Sequence, residues 1–361
     1  MKTQPIQFIS PIDGDMLHAR DGESTPEGVL IDVRVAAPSA HRLTINGQDA
    51  VDENGIFSAK INLTQDKTTI AVHDQTSGET SAITVFRLPH FAGKYRLSID
   101  DNIWFLRDIG QQPAAYPSLF DHPYLGFLKH VHETYGTKIH LNLFYQTDGF
   151  TLSEFPDRYK PEWQANANWL RLSFHARSEF PDKPYEAAGY EQVSRDCAVV
   201  DAEIRRFAGQ EVMGPVTTIH WGEATVEGSR ALRDAGYAGQ LGYFNVDDDL
   251  PTASYYLTVE QRRHLKKRFV WHDTQEGISF VRASIVIDKK ELPDIVPFLD
   301  AYAESPSGKP PFVDLLVHEQ YFYPFYEAYQ PDYRNRILTA VKWATDNGYT
   351  PAFLGDALFT H

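Results

Sequence analysis

The sequence has little cysteine, an excess of negative charge over positive, and no long hydrophobic run. A single cysteine, Cys197, among 361 residues excludes both an intramolecular disulfide and a zinc cluster built on cysteines. No segment approaches the roughly 18 consecutive apolar residues of a membrane span. The first ten residues, MKTQPIQFIS, lack the apolar core of a secretory signal. We therefore expect a cytoplasmic protein, or a secreted one from which a signal has been removed.

The charge balance limits the partners. Asp and Glu number 49 against 34 Lys and Arg, for a formal net charge of -15. Such a surface repels nucleic-acid backbones and anionic membranes, so we expect neither as a partner. The basic run EQRRHLKKR, at 260–268, is explained by a solvated helix face or the end of a hairpin. Aromatic residues make up 13% of the chain, which suits an ordinary core and a sugar-stacking cleft equally.

Two patterns divide the chain near residue 90. Before it, short alternating segments such as GVLIDVRVAA and TTIAVHD are separated by turn-forming residues, which is typical of a β-sandwich. This part resembles the bacterial immunoglobulin-like modules attached to carbohydrate-active enzymes. RLPHFAGK, which begins at Arg87, is a short linker containing Pro and Gly. We predict an all-β immunoglobulin-like sandwich over 1–90 and a second domain over 91–361.

The second domain alternates apolar strands with amphipathic helical segments such as DYRNRILTAVKWATDNG. The predicted strands lie at 94–101, 138–145, 169–175, 215–221, 238–244, 278–287 and 312–318. This alternation predicts an α/β fold, a parallel (β/α) barrel that is irregular or seven-stranded, with its functional residues at the carboxyl ends of the strands. Segment 245–290 fits the alternation less well.

Four of the predicted strands end in ionisable side chains. These are Asp100 and Asp101 in LSIDDN, His175 in LRLSFHARSE, His220 in VTTIHWGEA, and His318 and Glu319 in VDLLVHEQYF. In a barrel these four ends face the same mouth. Burying several ionisable groups there has a desolvation cost that a purely structural strand end avoids, so we interpret the four ends as one functional site.

Carboxylate and imidazole groups together indicate a catalytic metal centre. One Asp and two His are ligands that zinc and similar divalent ions accept, and three protein ligands leave a position open for water. A second aspartate beside the ligand could accept a proton from that water. Adjacent side chains of an extended strand face opposite ways, so both aspartates can reach the site only if the strand ends and turns at Asp100–Asn102.

These residues resemble the motifs of the polysaccharide deacetylase family, the chitooligosaccharide deacetylase homology domain, over roughly residues 90–355. SIDDN is similar to the family's paired Asp, which implies Asp100 as general base and Asp101 as metal ligand. HARSE matches the first half of the family's two-histidine motif, which implies His175 as a ligand, but Glu179 stands where the second His is expected. LVH is similar to the Leu-x-His motif that supplies the general acid, here His318.

Because the second histidine of the motif is missing, the identity of the third metal ligand is open. The family's Arg-containing third motif is also absent, and the corresponding strand end carries HWGEA. We expect His220 to supply the third ligand, ahead of Glu179 and then His318. The expected cofactor is a divalent ion, zinc above others.

Three further residues near these ends are candidates for substrate binding. Trp221 and Tyr321 follow ligand-like histidines and could stack on a sugar ring, with packing at the barrel rim as the alternative. Glu319 either contacts substrate hydroxyls or holds His318 in the correct tautomer.

The resemblance implies metal-dependent hydrolysis of acetyl groups on a carbohydrate, with Asp100 as base and His318 protonating the leaving amine or alkoxide. Two rivals come from other classes. A glycoside hydrolase could use carboxylates such as Glu223 and Glu319 without a metal. A non-catalytic carbohydrate-binding protein would keep the fold and bind no transition metal. Chelators and metal analysis distinguish the three.

Overall fold

A computed structural model describes residues 6–247, 251–305 and 308–359. Residues 1–5, on which the expectation about a signal segment partly rests, and residues 248–250 of the segment 245–290 lie outside the described residues. The chain forms two compact units. The first unit comprises residues up to 92 together with 270–277 and the end of the chain from 357, and the second comprises 93–269 and 278–356.

The first unit is built from β-strands. Those before residue 90 are β1 (Gln7–Ser10), β2 (Met16–Leu17), β3 (Glu23–Ser24), β4 (Val29–Ala36), β5 (Leu43–Ile45), β6 (Gln48–Asp49), β7 (Val51–Glu53), β8 (Ile56–Leu63), β9 (Lys67–Asp74) and β10 (Thr80–Arg87). They form two five-stranded sheets, one ordered β1-β4-β8-β7 with β3 beside β4, the other ordered β2-β10-β9-β5-β6. Neighbouring long strands, such as β4 and β8, pair antiparallel.

Alternation along the strands explains the core of this unit. Val29, Ile31, Val33 and Val35 of β4 are buried, whereas the residues between them are half-buried or exposed. Side chains on alternate positions of a strand face the same side, so β4 presents one apolar face. That face joins buried residues of the other sheet in one hydrophobic core. The part of this unit before residue 90 is therefore all-β, and its immunoglobulin-like character stays a prediction.

The rest of the chain supplies the strands and helices of the second unit, with β18 assigned to the first. The strands are β11 (Lys94–Asn102), β12 (Ile139–Phe144), β13 (Gln146–Thr147), β14 (Phe150–Thr151), β15 (Leu170–Ala176), β16 (Val216–Thr217), β17 (Gly239–Gly242), β18 (Val270–Asp273), β19 (Ile278–Arg282), β20 (Ile285–Val286), β21 (Phe312–His318) and β22 (Thr350–Pro351). The helices are α1 (Trp104–Gln111), α2 (Pro123–Tyr135), α3 (Lys160–Ala165), α4 (Tyr190–Phe207), α5 (Val226–Asp234), α6 (Val259–Arg268), α7 (Ile295–Ala303), α8 (Tyr333–Asp346) and α9 (Leu354–Leu358).

The larger strands of the second unit form parallel sheets. One has the order β15-β12-β11-β21-β20 with β22 beside β11, and another contains the neighbours β16-β17-β19. The short segment between β19 and β20 connects the two sheets along the chain, and an isolated parallel bridge joins Leu172 to Met213. The mixed α/β architecture is confirmed. The regular strand pairing is interrupted between β15 and β16 and between β19 and β20. The closed barrel therefore stays a prediction.

Strand β11 lies at the centre of the larger sheet and is buried from Tyr95 to Asn102. Strands of parallel sheets are covered on both faces, which explains the near-continuous burial. Its register pairs Asp100 with His318 of β21. The carboxyl ends of these neighbouring strands therefore carry the predicted base and the predicted acid side by side.

The helices follow local sequence signals. Helix α2 begins at Pro123 and ends before Gly136, whose φ of 69° is the left-handed conformation that closes many helices. The basic run at 260–268 falls in α6, of which Leu265 is fully buried while the basic side chains are half-buried or exposed. Among the described helices, none combines the length and the hydrophobicity needed to cross a membrane.

Candidate metal centre

The backbone turns at the paired aspartates. Asp101 has a φ of 62°, in the left-handed region that residues with a side chain seldom adopt, although Asp is more tolerant of it than most. The pairing of β11 with β12 is irregular between Ile99 and Asn102. This break in the extended backbone frees the two carboxylates from facing opposite sides of the sheet, and both are buried at the strand end.

Three side chains converge beside this turn. Asp101 Oδ1 lies 2.8 Å from His175 Nε2 and 3.1 Å from His220 Nδ1. The same two ring nitrogens lie 3.1 Å from each other. All three residues are buried, and their ligand atoms lie within 4.8 Å of one another. They come from the ends of β11 and β15 and from a 3-10 turn, His220–Gly222, that follows β16.

The hydrogen bonds on the far sides of the rings fix their tautomers. His175 Nδ1 lies 2.5 Å from the Thr218 carbonyl oxygen, and His220 Nε2 lies 3.1 Å from the Glu179 carbonyl oxygen. A carbonyl only accepts, so these nitrogens carry the hydrogen, and in neutral rings the opposite nitrogens hold bare lone pairs.

When both rings are neutral, the site therefore brings three acceptors together: Asp101 Oδ1, His175 Nε2 and His220 Nδ1. Protonating both rings instead would place two positive charges 3.1 Å apart. A cation between the three atoms satisfies all of them, and backbone carbonyls behind metal-binding imidazoles are common in such centres. The donor set thus fits a divalent ion such as zinc.

The two adjacent carboxylates have different electrostatic environments. Burial opposes ionisation of Asp101, but the contacts of its carboxylate with the His175 and His220 rings, and the positive charge of His318, outweigh it and hold the pKa of Asp101 well below its usual value. Burial raises the pKa of Asp100, whose Oδ1 accepts a hydrogen bond of 2.6 Å from Asn142. The environment of Asp101 thus favours the ionised carboxylate, whereas that of Asp100 favours the protonated form.

His318 lies on the neighbouring strand and is supported by a buried carboxylate. Its Nδ1 lies 2.9 Å from Asp288 Oδ1, and its backbone N–H donates to the same oxygen over 3.1 Å. Burial lowers the pKa of His318, but the Asp288 carboxylate and then the paired aspartates raise it to about 9. The ring therefore carries a proton at neutral pH, and 23% of the side chain remains exposed.

The two aromatic residues predicted to contact sugar lie next to the histidines. The Trp221 ring centroid is 6.1 Å from that of His220, and the side chain is exposed by 39%. The Tyr321 ring lies 6.2 Å from His318, and its hydroxyl accepts a hydrogen bond from Lys289. Their stacking on substrate stays a prediction.

Glu319 is engaged in holding a helix. Its two carboxylate oxygens accept hydrogen bonds of 2.6, 3.0 and 2.7 Å from the backbone N–H groups of residues 103–105, at the start of α1. A fourth comes from the Tyr323 hydroxyl. Helix α1 has no capping side chain of its own, and Glu319 satisfies the free N–H groups of its first turn. Asp288, rather than Glu319, contacts the His318 ring.

Two residues missed by sequence reasoning complete the site. Asp288 follows the apolar run SIVI, the same strand-end signal that identified the other polar residues. Asn142 is a polar residue inside the buried strand IHLNLF, which is also a visible signal. The carbonyl groups of Thr218 and Glu179 left no signal, because every residue has one.

A cleft with a volume of about 400 Å³ opens onto Asp101. We call it the metal cleft. Its walls include Trp104, Arg107, Phe144 and Phe180, of which Phe144 packs against the rings of His175 and His220. Flat aromatic faces beside polar groups suit the two faces and the hydroxyl edge of a sugar ring.

Comparison with known proteins identifies no family. No protein-family model matches the chain. No curated protein matches its sequence. Among solved structures it is similar to a CE4 family pseudoenzyme from Bacillus anthracis, with a TM-score of 0.38 and 9% identity over 75% of this chain and 66% of that one. The chain thus spans slightly less than two thirds of that protein.

Two mutants of the same Bacillus anthracis protein are similar to a comparable degree. One, described as having restored enzymatic activity, has a TM-score of 0.37 and 10% identity over 80% of this chain and 79% of that one. The other has a TM-score of 0.38 and 10% identity over 79% of each chain. At these values the likeness assigns the chain to no family, and the functional argument rests on the site.

Proposed function

We propose that this protein is a metal-dependent hydrolase that removes acetyl groups from a carbohydrate. Asp101, His175 and His220 are the proposed zinc ligands. The observation that carries the proposal is the convergence of three acceptor atoms in one buried site, 2.8–3.1 Å apart. Three protein ligands, rather than four, leave a coordination position open, which is the pattern of catalytic rather than structural metal sites.

A divalent ion held there would polarise the acetyl carbonyl and lower the pKa of a water molecule in the cleft. Asp100 is the proposed acceptor for the proton of the attacking water. Its pKa is raised by burial, which strengthens it as a base, and Asn142 fixes the carboxylate through a 2.6 Å hydrogen bond.

His318 is the proposed donor of a proton to the leaving group. Asp288 binds Nδ1, which leaves Nε2 of the imidazolium to deliver its hydrogen to the departing amine or alkoxide. The raised pKa of about 9 keeps this acid protonated while Asp100 acts as base. The register that pairs Asp100 with His318 supports this division between base and acid.

The carbohydrate part of the proposal is supported by the aromatic groups around the site. Trp104 and Phe180 line the metal cleft, and Trp221 lies exposed beside His220. Rings of this kind stack on the apolar faces of sugars.

The rival glycosidase reading has less support. It needs two carboxylates facing one cleft. Both oxygens of Glu319 are bound to backbone N–H groups of α1, and Glu223 is buried and accepts a hydrogen bond from Thr252.

Metal analysis combined with acetate release tests the proposal. The purified protein should contain about one zinc ion per chain. It should release acetate from oligomers of β-1,4-linked N-acetylglucosamine or from acetylated xylo-oligosaccharides, lose this activity after EDTA treatment and regain it with zinc. Chelator-resistant release of reducing ends would favour a glycosidase. Glycan binding with neither metal nor acetate release would favour a binding protein.

A further inference from the structure

A line of buried polar side chains runs along one side of the larger sheet and ends at Asp100. Its members lie on four neighbouring strands and are exposed by at most 2%: Asp314 of β21, Arg96 of β11, His140 and Asn142 of β12, and Ser173 of β15. The register pairs Arg96 with Asp314 and Asn142 with Ser173, and alternate residues of a strand face the same side. Strands covered on both faces are normally apolar, so these five residues are exceptions within the sheet. We call them the polar column.

The hydrogen-bond roles in the first half of the polar column are fixed by Arg96. Its Nε donates to Asp314 Oδ2 over 2.5 Å, and its Nη1 lies 3.1 Å from His140 Nδ1. A guanidinium group only donates, so His140 Nδ1 accepts. Burial and the positive charge of Arg96 hold the pKa of His140 well below its usual value, so the ring is neutral and carries its single hydrogen on Nε2.

The second half of the polar column continues in the same direction. His140 Nε2 donates to Ser173 Oγ over 2.9 Å, and the Ser173 hydroxyl, which has one hydrogen, donates to Asn142 Oδ1. The amide oxygen of Asn142 is thus occupied, and its NH2 group donates to Asp100 Oδ1 over 2.6 Å. Each donor leaves its partner one role, so the hydrogen bonds run in one direction from Arg96 to Asp100. A reversed Asn142 amide would instead place its oxygen against an oxygen of Asp100.

Stability alone does not account for the polar column. Taking Arg96 and Asp314 out of water has a desolvation cost that well-packed apolar side chains avoid, and such replacements are often neutral or stabilising. A connected polar network instead favours one arrangement of its members. Ser98 provides the contrast, because it lies between Arg96 and Asp100 on the same side of β11 and is fully buried. Its Oγ has no hydrogen-bond partner in the described parts of the chain, so a buried hydroxyl on this side of the sheet does not by itself join the network.

We propose that Arg96, His140 and Ser173 are positioning residues that hold the Asn142 amide with its NH2 group toward Asp100 and thereby fix the orientation of the Asp100 carboxyl group. None of the three is among the residues that line the metal cleft, so they act through Asn142 and not on the substrate. The inference rests on the proposed function for the role of Asp100 as base. The arrangement of the polar column itself does not depend on that function.

Nuclear magnetic resonance of protein labelled with ¹⁵N at His and Asn tests the arrangement without acetate release. His140 should be neutral with its hydrogen on Nε2 at neutral pH. The side-chain amide resonances of Asn142, assigned by their loss in Asn142→Ala, should shift in Ser173→Ala and in His140→Leu, which interrupt the polar column. Ser98→Ala is the matched control, since it makes the same substitution at a fully buried serine on the same side of the sheet and should leave these resonances in place.

Steady-state kinetics, expressed per bound zinc ion, test the effect on Asp100. The substrates are the acetylated oligomers named above that the parent protein hydrolyses. Ser173→Ala and His140→Leu should lower kcat by about 3- to 10-fold, the fold-change that one buried hydrogen bond corresponds to, with KM and metal content unchanged. His140→Gln should recover most of the lost rate, because its amide can accept from Arg96 and donate to Ser173. A purely structural role would change the stability of these variants and not kcat per bound ion.

The two readouts separate this inference from the proposed function. Asn142 resonances that shift in Ser173→Ala and not in Ser98→Ala, in a protein that releases no acetate, would support the polar column and reject the deacetylase. Acetate release with the same kcat in parent, Ser173→Ala and His140→Leu would reject the polar column and leave the deacetylase intact. A His140 ring with its hydrogen on Nδ1, or equal losses of rate in Ser98→Ala and Ser173→Ala, would also overturn the inference.

Discussion

The rings of His175 and His220 are each oriented by the chain segment that carries the other. His175 donates to the carbonyl of Thr218, two residues before His220, and His220 donates to the carbonyl of Glu179, four residues after His175. Each segment thus presents one ligand and fixes the tautomer of the second. The ligand geometry therefore depends on the backbone of both segments more than on neighbouring side chains.

This reciprocal arrangement predicts different effects of two substitutions that sequence reasoning ranked as alternatives. His220→Ala removes a ligand and should abolish stoichiometric metal binding. Glu179→Ala keeps the carbonyl that orients His220 and should retain the ion, because the hydrogen bond with the ring is made by the backbone of Glu179. Metal content is measured by mass spectrometry after gel filtration. Loss of the ion from a folded Glu179→Ala protein would show that this carboxylate is a ligand after all.

A second prediction concerns the helix cap formed by Glu319. Glu319→Gln replaces one of the two carboxylate oxygens with an NH2 group, which cannot accept the backbone N–H groups of residues 103–105 that this oxygen binds. Leaving buried donors unsatisfied costs about 1–3 kcal/mol, so the free energy of unfolding in urea should fall by that amount. Metal content should be unchanged. An unaltered unfolding free energy combined with a higher KM would instead favour the substrate contact predicted from the sequence.

A third prediction follows from the pairing of His318 with Asp288. A general acid works only while protonated, so kcat/KM should decline as the pH rises through the His318 pKa of about 9. Asp288→Asn removes the negative charge that raises this pKa while keeping an oxygen that can accept from Nδ1. The decline should therefore begin at lower pH. A pH–rate profile with an unchanged basic limb would exclude His318 as the acid.

Local sequence patterns predicted the long strands well. The segments 94–101 and 312–318 correspond to β11 (Lys94–Asn102) and β21 (Phe312–His318). Apolar runs bounded by turn residues are local signals, and burial in a parallel sheet requires such runs. The polar residues that end these runs were also visible, and the structure brings Asp101, His175 and His220 together.

Features that depend on distant pairing could not be predicted. The segment 215–221 is a strand only at Val216–Thr217, because the chain then turns, with Trp221 at a φ of 67°. His220 therefore reaches the site from a turn. The segment 278–287 divides into β19 and β20, which pair with strands of different sheets. Alternation of apolar residues does not show which sheet a strand joins, and no propensity predicts a left-handed Asp101.

The last prediction distinguishes the two adjacent aspartates. Asp101 lies within 2.8 Å of His175 and 3.1 Å of His220, whereas the Asp100 carboxylate is held by Asn142. Asp101→Asn should lose the ion, because an amide is a poor substitute for a charged ligand. Asp100→Asn should keep the ion and the fold but lower kcat by about 10²- to 10⁴-fold, the usual contribution of a general base.

The amide preserves the shape of the side chain, so a reduced rate with intact metal can be attributed to proton transfer rather than packing. Each variant is the other's control, since the two positions are neighbours, are both buried and carry the same substitution. Parental rates of acetate release from Asp100→Asn, with metal bound, would rule out the paired-aspartate mechanism.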